Sequence, residues 1–390
     1  VTGIPGDTFA RTVREDPDRK GLLYAGTETG VFVSFDDGKQ WHSLQNNLPE
    51  VPITDLRVQR KDLVVTTQGR AIWILDDLTP LHQISDEVAK SDYFLYQPND
   101  THAELSIAYS SDGSGQNPPK GVQIHYVNNK EVPADTKMSL EILDSEGEVI
   151  HAEFTNVART ECDSLIKPQL KKAIGTHRYK WNMREGMFDC LTELYTTNRD
   201  LSAYDAAPGD YKVRLTIGDV VMTQDFAITI DPRIKMSVDN VEEAYVERDG
   251  IFKSIYSAGT EMTQGVRGLR KVKQQLKFVM EESDSPELKT KGKLLEERID
   301  DWIAKILQKE MRTYQSNYMF EARLLIKYKD FLNRIGKGNL PVTEGVREVT
   351  KDYLDQWRKL KTDLQFIKSK EVAEFNQLIA NTKLPQIYTP

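Results

Sequence analysis

The feature that most constrains the fold of this chain is the octapeptide SFDDGKQW at residues 34–41, which follows the apolar run VFV. It has the form S-x-D-x-G-x-x-W. Gly38 supplies a backbone conformation that other residues resist, and the side chains of Ser34 and Asp36 accept hydrogen bonds from turn amides. Trp41 then folds back as an apolar plug beneath the turn. The octapeptide therefore predicts a tight turn that fixes two antiparallel strands, and it performs no chemistry by itself.

Short strands surround this turn on both sides. Gly, Asn and Pro separate the apolar segments, and the order of segments occurs twice. The predicted strands lie at residues 11–14, 22–25, 31–34 and 41–44, and then at 53–59, 63–67 and 71–75. This repetition predicts two successive antiparallel sheets within residues 1–84.

Three phrases in this segment carry a resemblance to a known family. They are LYAGT at residues 23–27, the octapeptide at 34–41, and GRAIWILDDLTPL at 69–81. With them, residues 9–84 resemble the last blades of the β-propeller in large secreted bacterial proteins with Asp-box (BNR) repeats. That family includes sortilin-like proteins and proteins labelled glycosyl hydrolases. The resemblance implies that this chain is the C-terminal part of such a protein.

The resemblance also implies a structural Asp-box made of Ser34, Asp36, Gly38 and Trp41. Two blades do not close a ring, and they leave sheet edges and apolar faces open. We therefore expect the remaining propeller blades upstream in the same protein or on another chain. The start at Val1 rather than Met agrees with a processed or truncated end.

Composition narrows the classes of function. A chain of 390 residues corresponds to about two to four domains. The net charge of −8 argues against a general nucleic-acid-binding role. No apolar run reaches the ~18 residues needed to span a bilayer, so no transmembrane segment is expected.

Longer alternating strands follow in residues 91–231 and predict an Ig-like or fibronectin-like β-sandwich. They lie at residues 105–109, 121–127, 138–143, 148–154, 177–181, 211–217 and 220–230. The phrase PGDYKVRL at 208–215 resembles the sandwich module of the same family, and Tyr211 within it is expected to tie a corner through its hydroxyl. Residues 185–207 are expected to form a loop insertion.

Residues 237–390 have the apolar period of amphipathic helices and predict an antiparallel α-helical bundle. The apolar stripes of the predicted helices lie at residues 252–276, 288–306, 318–335, 346–364 and 372–378. Ser237, Ser285 and Thr343 are the expected N-caps of the first, second and fourth of these helices.

Cys162 and Cys190 are the two cysteines of the chain. Both lie in polar, loop-like sequence, and in an exported protein such a pair is expected to form a disulfide. Two free thiols are the alternative. No C-x-x-C motif or histidine pair accompanies them, so no zinc site is expected.

Asp36 and Asp37 are the most tempting catalytic candidates. A glycosidase needs two carboxyl groups roughly 5–10 Å apart across a sugar, whereas adjacent strand residues point to opposite sides. We expect a structural role for this pair, and for Asp76 and Asp77, which replace an Asp-box in the next repeat.

Other catalytic or binding motifs are also missing from the sequence. The histidines are scattered, no G-x-S-x-G motif is present, and the basic run at 267–277 is typical of a solvated helix face. The sequence therefore predicts no catalytic residues, no metal site and no cofactor.

The expected function is that of a non-catalytic structural and interaction part of an exported sortilin-like protein. It would be periplasmic, outer-membrane-associated or extracellular, and its partners would be the remaining blades and a cell-envelope protein complex or glycan. An alternative is part of a glycoside hydrolase or lyase whose active site lies on the remaining blades. A third hypothesis is a receptor that binds peptides in the propeller tunnel.

Overall fold

The chain has a mixed β and α fold. A computed structural model describes residues 2–103, 120–155, 170–187, 191, 202–308, 310, 319–336, 340–380 and 382–389. Within these residues, β-sheets dominate as far as Ile230 and a group of helices follows from Pro232. The predicted succession of sheets followed by C-terminal helices is confirmed at this level.

Two antiparallel sheets come first, and sequence neighbours are spatial neighbours in each. Sheet A has the order β1-β2-β3-β4 and sheet B the order β5-β6-β7. The strands are β1 (Ala10–Glu15), β2 (Leu23–Thr27), β3 (Val31–Ser34), β4 (His42–Ser43), β5 (Ile53–Gln59), β6 (Asp62–Thr67) and β7 (Ile72–Leu75). The octapeptide forms the turn between β3 and β4, as predicted.

Sheets A and B pack face to face. Their shared core includes Leu22, Tyr24, Val33, Ile53, Leu56 and Val65. At Gly26 a Cβ atom would lie 2.5 Å from Ile53 Cγ2 and 2.8 Å from Thr12 Cγ2. A side chain at that position would therefore push the two sheets apart.

Two further sheets enclose a second core. Helices α1 (Thr79–Gln83) and α2 (Asp86–Lys90) lead into sheet C, of order β13-β10-β8, and sheet D, of order β12-β11-β16-β17-β9. Their strands are β8 (Tyr93–Leu95), β9 (Thr101–Ala103), β10 (Val122–Asn128), β11 (Met138–Leu143), β12 (Val149–Phe154), β13 (Gly175–Trp181), β16 (Gly209–Ile217) and β17 (Val220–Ile230). Both sheets contribute to one core that includes Ile124, Tyr126, Trp181, Leu140, Val213 and Phe226.

The corner predicted at Tyr211 is confirmed, because its hydroxyl donates to the Ala207 carbonyl at 2.6 Å. The expectation of a loop insertion over residues 185–207 is wrong at both ends of this segment. This segment contributes a two-stranded ribbon, β14 (Arg184–Met187) with β15 (Ser202–Asp205). Four-residue strands are too short for an alternating pattern to stand out. The strand predicted at 105–109 lies outside the described residues.

The helix group is organised around the 42-residue helix α4. Its elements are α3 (Pro232–Ser237), α4 (Val241–Glu282), α5 (Pro286–Ile306), α6 (Leu324–Gly336), α7 (Glu344–Phe366), a π-helical segment (Ile367–Glu371) and α8 (Val372–Ile379). Their common core includes Phe252, Val266, Trp302, Tyr328, Trp357 and Ile367. No described helix combines the length and apolar character that crossing a bilayer requires.

The predicted helix starts are partly confirmed. The Ser285 and Thr343 hydroxyls accept the amides three residues further on, so both are N-caps. The prediction for Ser237 is wrong, since Ser237 ends α3 and α4 starts after Asn240, which has a left-handed backbone with φ 51°. The helix predicted from residue 318 begins at Leu324 within the described residues. The two last predicted helices form one continuous helix through the π-helical segment.

Candidate functional site

The octapeptide turn is held by its own side chains. Ser34 Oγ donates to Asp36 Oδ1 at 2.9 Å and accepts the Gly38 amide at 3.0 Å. Asp36 Oδ1 also accepts the two amides that follow Gly38, at 3.1 and 2.9 Å. Trp41 Nε1 donates to the Gly38 carbonyl at 3.0 Å. All four predicted Asp-box residues are therefore joined in one hydrogen-bonded turn.

The side chains of this turn have a structural role. The backbone amide of Gln40, followed by the Ser34 hydroxyl, lowers the pKa of Asp36, so the carboxylate stays ionised as an acceptor. Asp37 has a left-handed backbone with φ 62°. Trp41 is 7% exposed and packs with Phe32 beneath the turn. The contacts of these side chains fix β4 onto β3.

A second polar cluster ties sheet A to helix α1. Asp16 Oδ2 accepts the Tyr24 hydroxyl at 2.8 Å and His82 Nε2 at 2.9 Å. Asp16 Oδ1 accepts the amides of Asp18 and Arg19 at 2.8 and 3.1 Å. Burial raises the pKa of Asp16, but these hydrogen bonds, led by that from His82, outweigh it and the pKa is lowered. An ionised, buried carboxylate therefore connects the β1–β2 turn to the segment after sheet B.

This cluster has the residue types of a metal site. The ligand atoms of Asp16, Asp18 and His82 lie within 4.8 Å of one another. However, a carboxylate offers about four acceptor positions, and the four donors to Asp16 already occupy that number. The arrangement is complete as a hydrogen-bonded tie. The sequence analysis missed it because His82 and Asp16 are 66 residues apart.

A third cluster joins sheet B to sheet C. The Asp77 amide donates to Asp62 Oδ1 at 2.9 Å, and Asp77 Oδ2 lies 3.6 Å from His125 Nδ1 on β10. Burial lowers the pKa of His125 in spite of the Asp77 carboxylate. Burial, followed by the charge of Asp62, raises the pKa of Asp76. Asp77, in the segment after sheet B, thus lies against β10 of sheet C, and its Oδ2 makes no hydrogen bond within the described part of the chain.

A buried carboxyl group with a strongly raised pKa lies on β14: Glu185 is only 5% exposed. The Tyr204 hydroxyl donates to Glu185 Oε2 at 3.2 Å, and the Tyr211 hydroxyl lies 3.5 Å from Oε1. Burial, followed by the Asp249 carboxylate, raises the pKa of Glu185 to about 7 against the opposing effect of the Lys253 ammonium. Glu185 therefore exchanges a proton near neutral pH inside a packed interface.

That interface lies between the β14–β15 ribbon and the helices. Arg184 donates to Asp205 at 3.3 Å and to Asn333 of α6 at 3.0 Å. At Gly186 a Cβ atom would lie 2.6 Å from the Tyr256 ring of α4, so the ribbon backbone rests directly on that ring. The ribbon connects the sheets to the helix group, and Glu185 lies at the centre of this connection.

The sequence analysis did not single out Glu185. Its partners Tyr204 and Tyr211 are 19 and 26 residues away, and strands β14 and β15 were predicted as loop. The sequence offered one indication of this site, which is the glutamate in the short strand segment REGM. A charged side chain that becomes buried when strands pair needs specific partners.

Cys162 and Cys190 lie outside the described residues, so their pairing stays a prediction. Comparison of the chain with protein-family models and with curated proteins finds no match. The family resemblance therefore rests on the phrases quoted from the sequence.

Proposed function

We propose that this chain is the C-terminal, non-catalytic structural and interaction part of an exported Asp-box propeller protein. In this proposal sheets A and B are two blades of a larger ring. The sandwich of sheets C and D and the helix group form a support that contacts a partner at the cell envelope. The carrying observation is that both outer faces of the A–B stack expose apolar side chains.

The outer face of sheet B exposes apolar side chains on β6 and β7, beside Arg57 of β5. Val64 pairs with Ile74 and Thr66 with Ile72 across β6 and β7, so these four side chains share one face. Ile72 is 65% exposed and Ile74 is 56% exposed. Contiguous exposed apolar patches on a sheet face indicate a surface that another element covers.

The outer face of sheet A is partly covered. Val13 pairs with Ala25, which pairs in turn with Phe32, so they share the face turned away from sheet B. Ala25 and Phe32 are buried beneath Ile4 of the preceding segment, whereas Val13 is 46% exposed. The segment before β1 therefore already lies across this face, as a preceding blade would.

Polar contacts join this stack to sheet C and to the segment between β8 and β9. Lys61 Nζ donates to Asn99 Oδ1 at 2.8 Å, and Asp77 Oδ2 lies 3.6 Å from His125 Nδ1. These contacts support a role in which the sandwich carries the blades at a fixed position. A ring of blades also removes the exposed sheet faces and edges that two sheets leave open.

The test is an aspartate substitution on the outer face of sheet B. Ile74→Asp is introduced both into the protein as its native source produces it and into the 390-residue chain. Val221→Asp is the matched control, because Val221 of β17 is 59% exposed. If further blades cover Ile74, the substitution lowers the thermal midpoint of the native protein by several degrees, because it buries an unpaired charge. The 390-residue chain and both control variants keep their midpoints. An unchanged midpoint in the native Ile74→Asp variant would refute the proposal.

A further inference from the structure

The helix group carries a groove of 450 Å³ between α4 and the continuous helix of α7 and the π-helical segment. Its polar walls are formed by Gln264, Arg267 and Lys271 on α4 and by Lys361, Gln365 and Lys368 on the opposite helix. These spacings of three, four and seven residues place each set on one helix face. Lys368 belongs to the π-helical segment, and such segments occur frequently at functional sites.

Basic side chains outnumber acidic ones in the lining of this groove. Among the described residues that line it, four are basic and one, Glu261, is acidic. Glu261 already accepts Lys361 Nζ at 2.7 Å on one oxygen and Trp357 Nε1 at 2.8 Å on the other. The lining thus has more basic than acidic residues in a chain whose net charge is −8, and this composition favours an anionic ligand.

Two other grooves between the helices have a smaller excess of basic residues or none. In the groove of 400 Å³ between α5 and α8, Arg298 Nε lies 3.5 Å from Glu371 Oε1. In the groove of 330 Å³ nearer the start of α7, Arg347 Nε lies 2.6 Å from Glu247 Oε1. The lining of the first of these grooves has two basic and two acidic residues, and that of the second has three basic and two acidic residues.

The apolar lining of the charged groove narrows the class of ligand. Trp357 is 4% exposed and Leu364 is 8% exposed, so neither offers an anchoring pocket for a peptide side chain or a stacking surface for a base. Gln264 and Gln365 are exposed, and their amides both donate and accept hydrogen bonds. Amides beside ammonium groups suit a ligand that carries hydroxyl and carboxylate groups together.

We propose that this groove binds an acidic oligosaccharide. Its carboxylate groups pair with Lys271 and Lys361, and its hydroxyl groups bond to Gln264 and Gln365. The row from Glu261 to Lys271 extends along about 15 Å of helix, so the open groove accommodates a chain of a few sugars rather than a single enclosed ring. This proposal does not depend on the propeller assignment.

Calorimetric titration of the 390-residue chain with a uronic-acid hexasaccharide tests it. Lys271→Glu is compared with Lys291→Glu, an exposed lysine of α5, because both variants change the net charge equally. We expect the hexasaccharide to bind the wild type, binding to weaken by about tenfold or more in Lys271→Glu, and Lys291→Glu to bind as the wild type does. Added salt should weaken the binding, and a neutral glucose hexasaccharide should not bind.

Three results would overturn the proposal. One is no detectable binding of the uronic-acid probe at low ionic strength. Another is an equal loss of affinity in both lysine variants, which would indicate diffuse attraction to the surface. The third is tighter binding of an oligoglutamate peptide or a single-stranded oligonucleotide at Lys271, which would assign the groove to a different ligand class.

Discussion

Replacing Glu185 by glutamine retains the size of the side chain and an acceptor for the Tyr204 hydroxyl, but it removes the titration of a buried group. The pKa of Glu185 is raised from its ordinary value of 4.5 to about 7, chiefly by burial and then by the Asp249 carboxylate. The folded protein thus binds the proton more tightly than the unfolded chain. The contribution of Glu185 to stability is complete below pH 4.5, and it is lost as the pH rises through 7.

The size of this loss follows from the same difference. One pKa unit corresponds to about 1.36 kcal/mol, so the shift corresponds to about 3 kcal/mol between the acidic and basic limits. Glu185→Gln should therefore be more stable than the wild type by less than about 1 kcal/mol at pH 5. At pH 8 the variant should be more stable than the wild type by up to about 3 kcal/mol.

Urea unfolding followed by tryptophan fluorescence at pH 5, 6, 7 and 8 measures this difference. Contributions from other titrating groups are common to both proteins and cancel in the difference between them. Glu243→Gln, on the exposed side of α4, serves as the control and should give no such trend. If the free energies of unfolding of the wild type and Glu185→Gln change in parallel with pH, folding does not raise the pKa of Glu185, and the prediction is wrong.

The remaining predictions concern close packing and the octapeptide turn. Gly265→Ala places a Cβ atom 2.8 Å from Leu364 Cδ2, so it should lower the free energy of unfolding by about 1–3 kcal/mol. Gly250→Ala has no atom within 4 Å of its added Cβ, so it should raise the free energy of unfolding by up to about 1 kcal/mol. Urea denaturation of the two variants measures both changes. A destabilised Gly250→Ala variant would contradict the packing argument. Asp36→Ala removes an acceptor of three hydrogen bonds and should cost about 1–3 kcal/mol, measured as loss of hydrogen-exchange protection around β3 and β4. Asp37→Asn should change little, because asparagine tolerates the left-handed backbone, and equal effects in both variants would refute the role given to Asp36.

Features that depend on neighbouring residues were predictable from the sequence. The caps at Ser285 and Thr343, the turn around Gly38 and the corner at Tyr211 each involve partners within four residues along the chain. In such motifs the side chain and its backbone partner are brought together by local geometry. The residue types and their spacing therefore suffice to predict them.

Features that depend on distant residues were not predictable. Asp16 and His82, and Glu185 and Tyr204, come together only through the packing of sheets and helices. Ser237 was a plausible cap, yet Pro232 begins a separate short helix that Ser237 ends. Local propensity is a weak guide where tertiary packing decides the outcome.

The basic groove was likewise not predictable from the sequence. Residues 267–277 read as a solvated helix face, and only the position of Lys361 and Gln365 on a helix about 100 residues later turns this face into one wall of a groove. A charge run on one helix gives no information about the helix opposite it.

The central claim is that sheets A and B belong to a larger ring. The most direct test is the intact mass of the protein isolated from its native source, together with peptide mapping and its oligomeric state in solution. The account predicts a mass well above 44.6 kDa, with peptides upstream of Val1 that continue the Asp-box repeat. A monomer with a mass of 44.6 kDa would contradict it, because the apolar faces at Val13 and Ile74 would then have no blades to cover them.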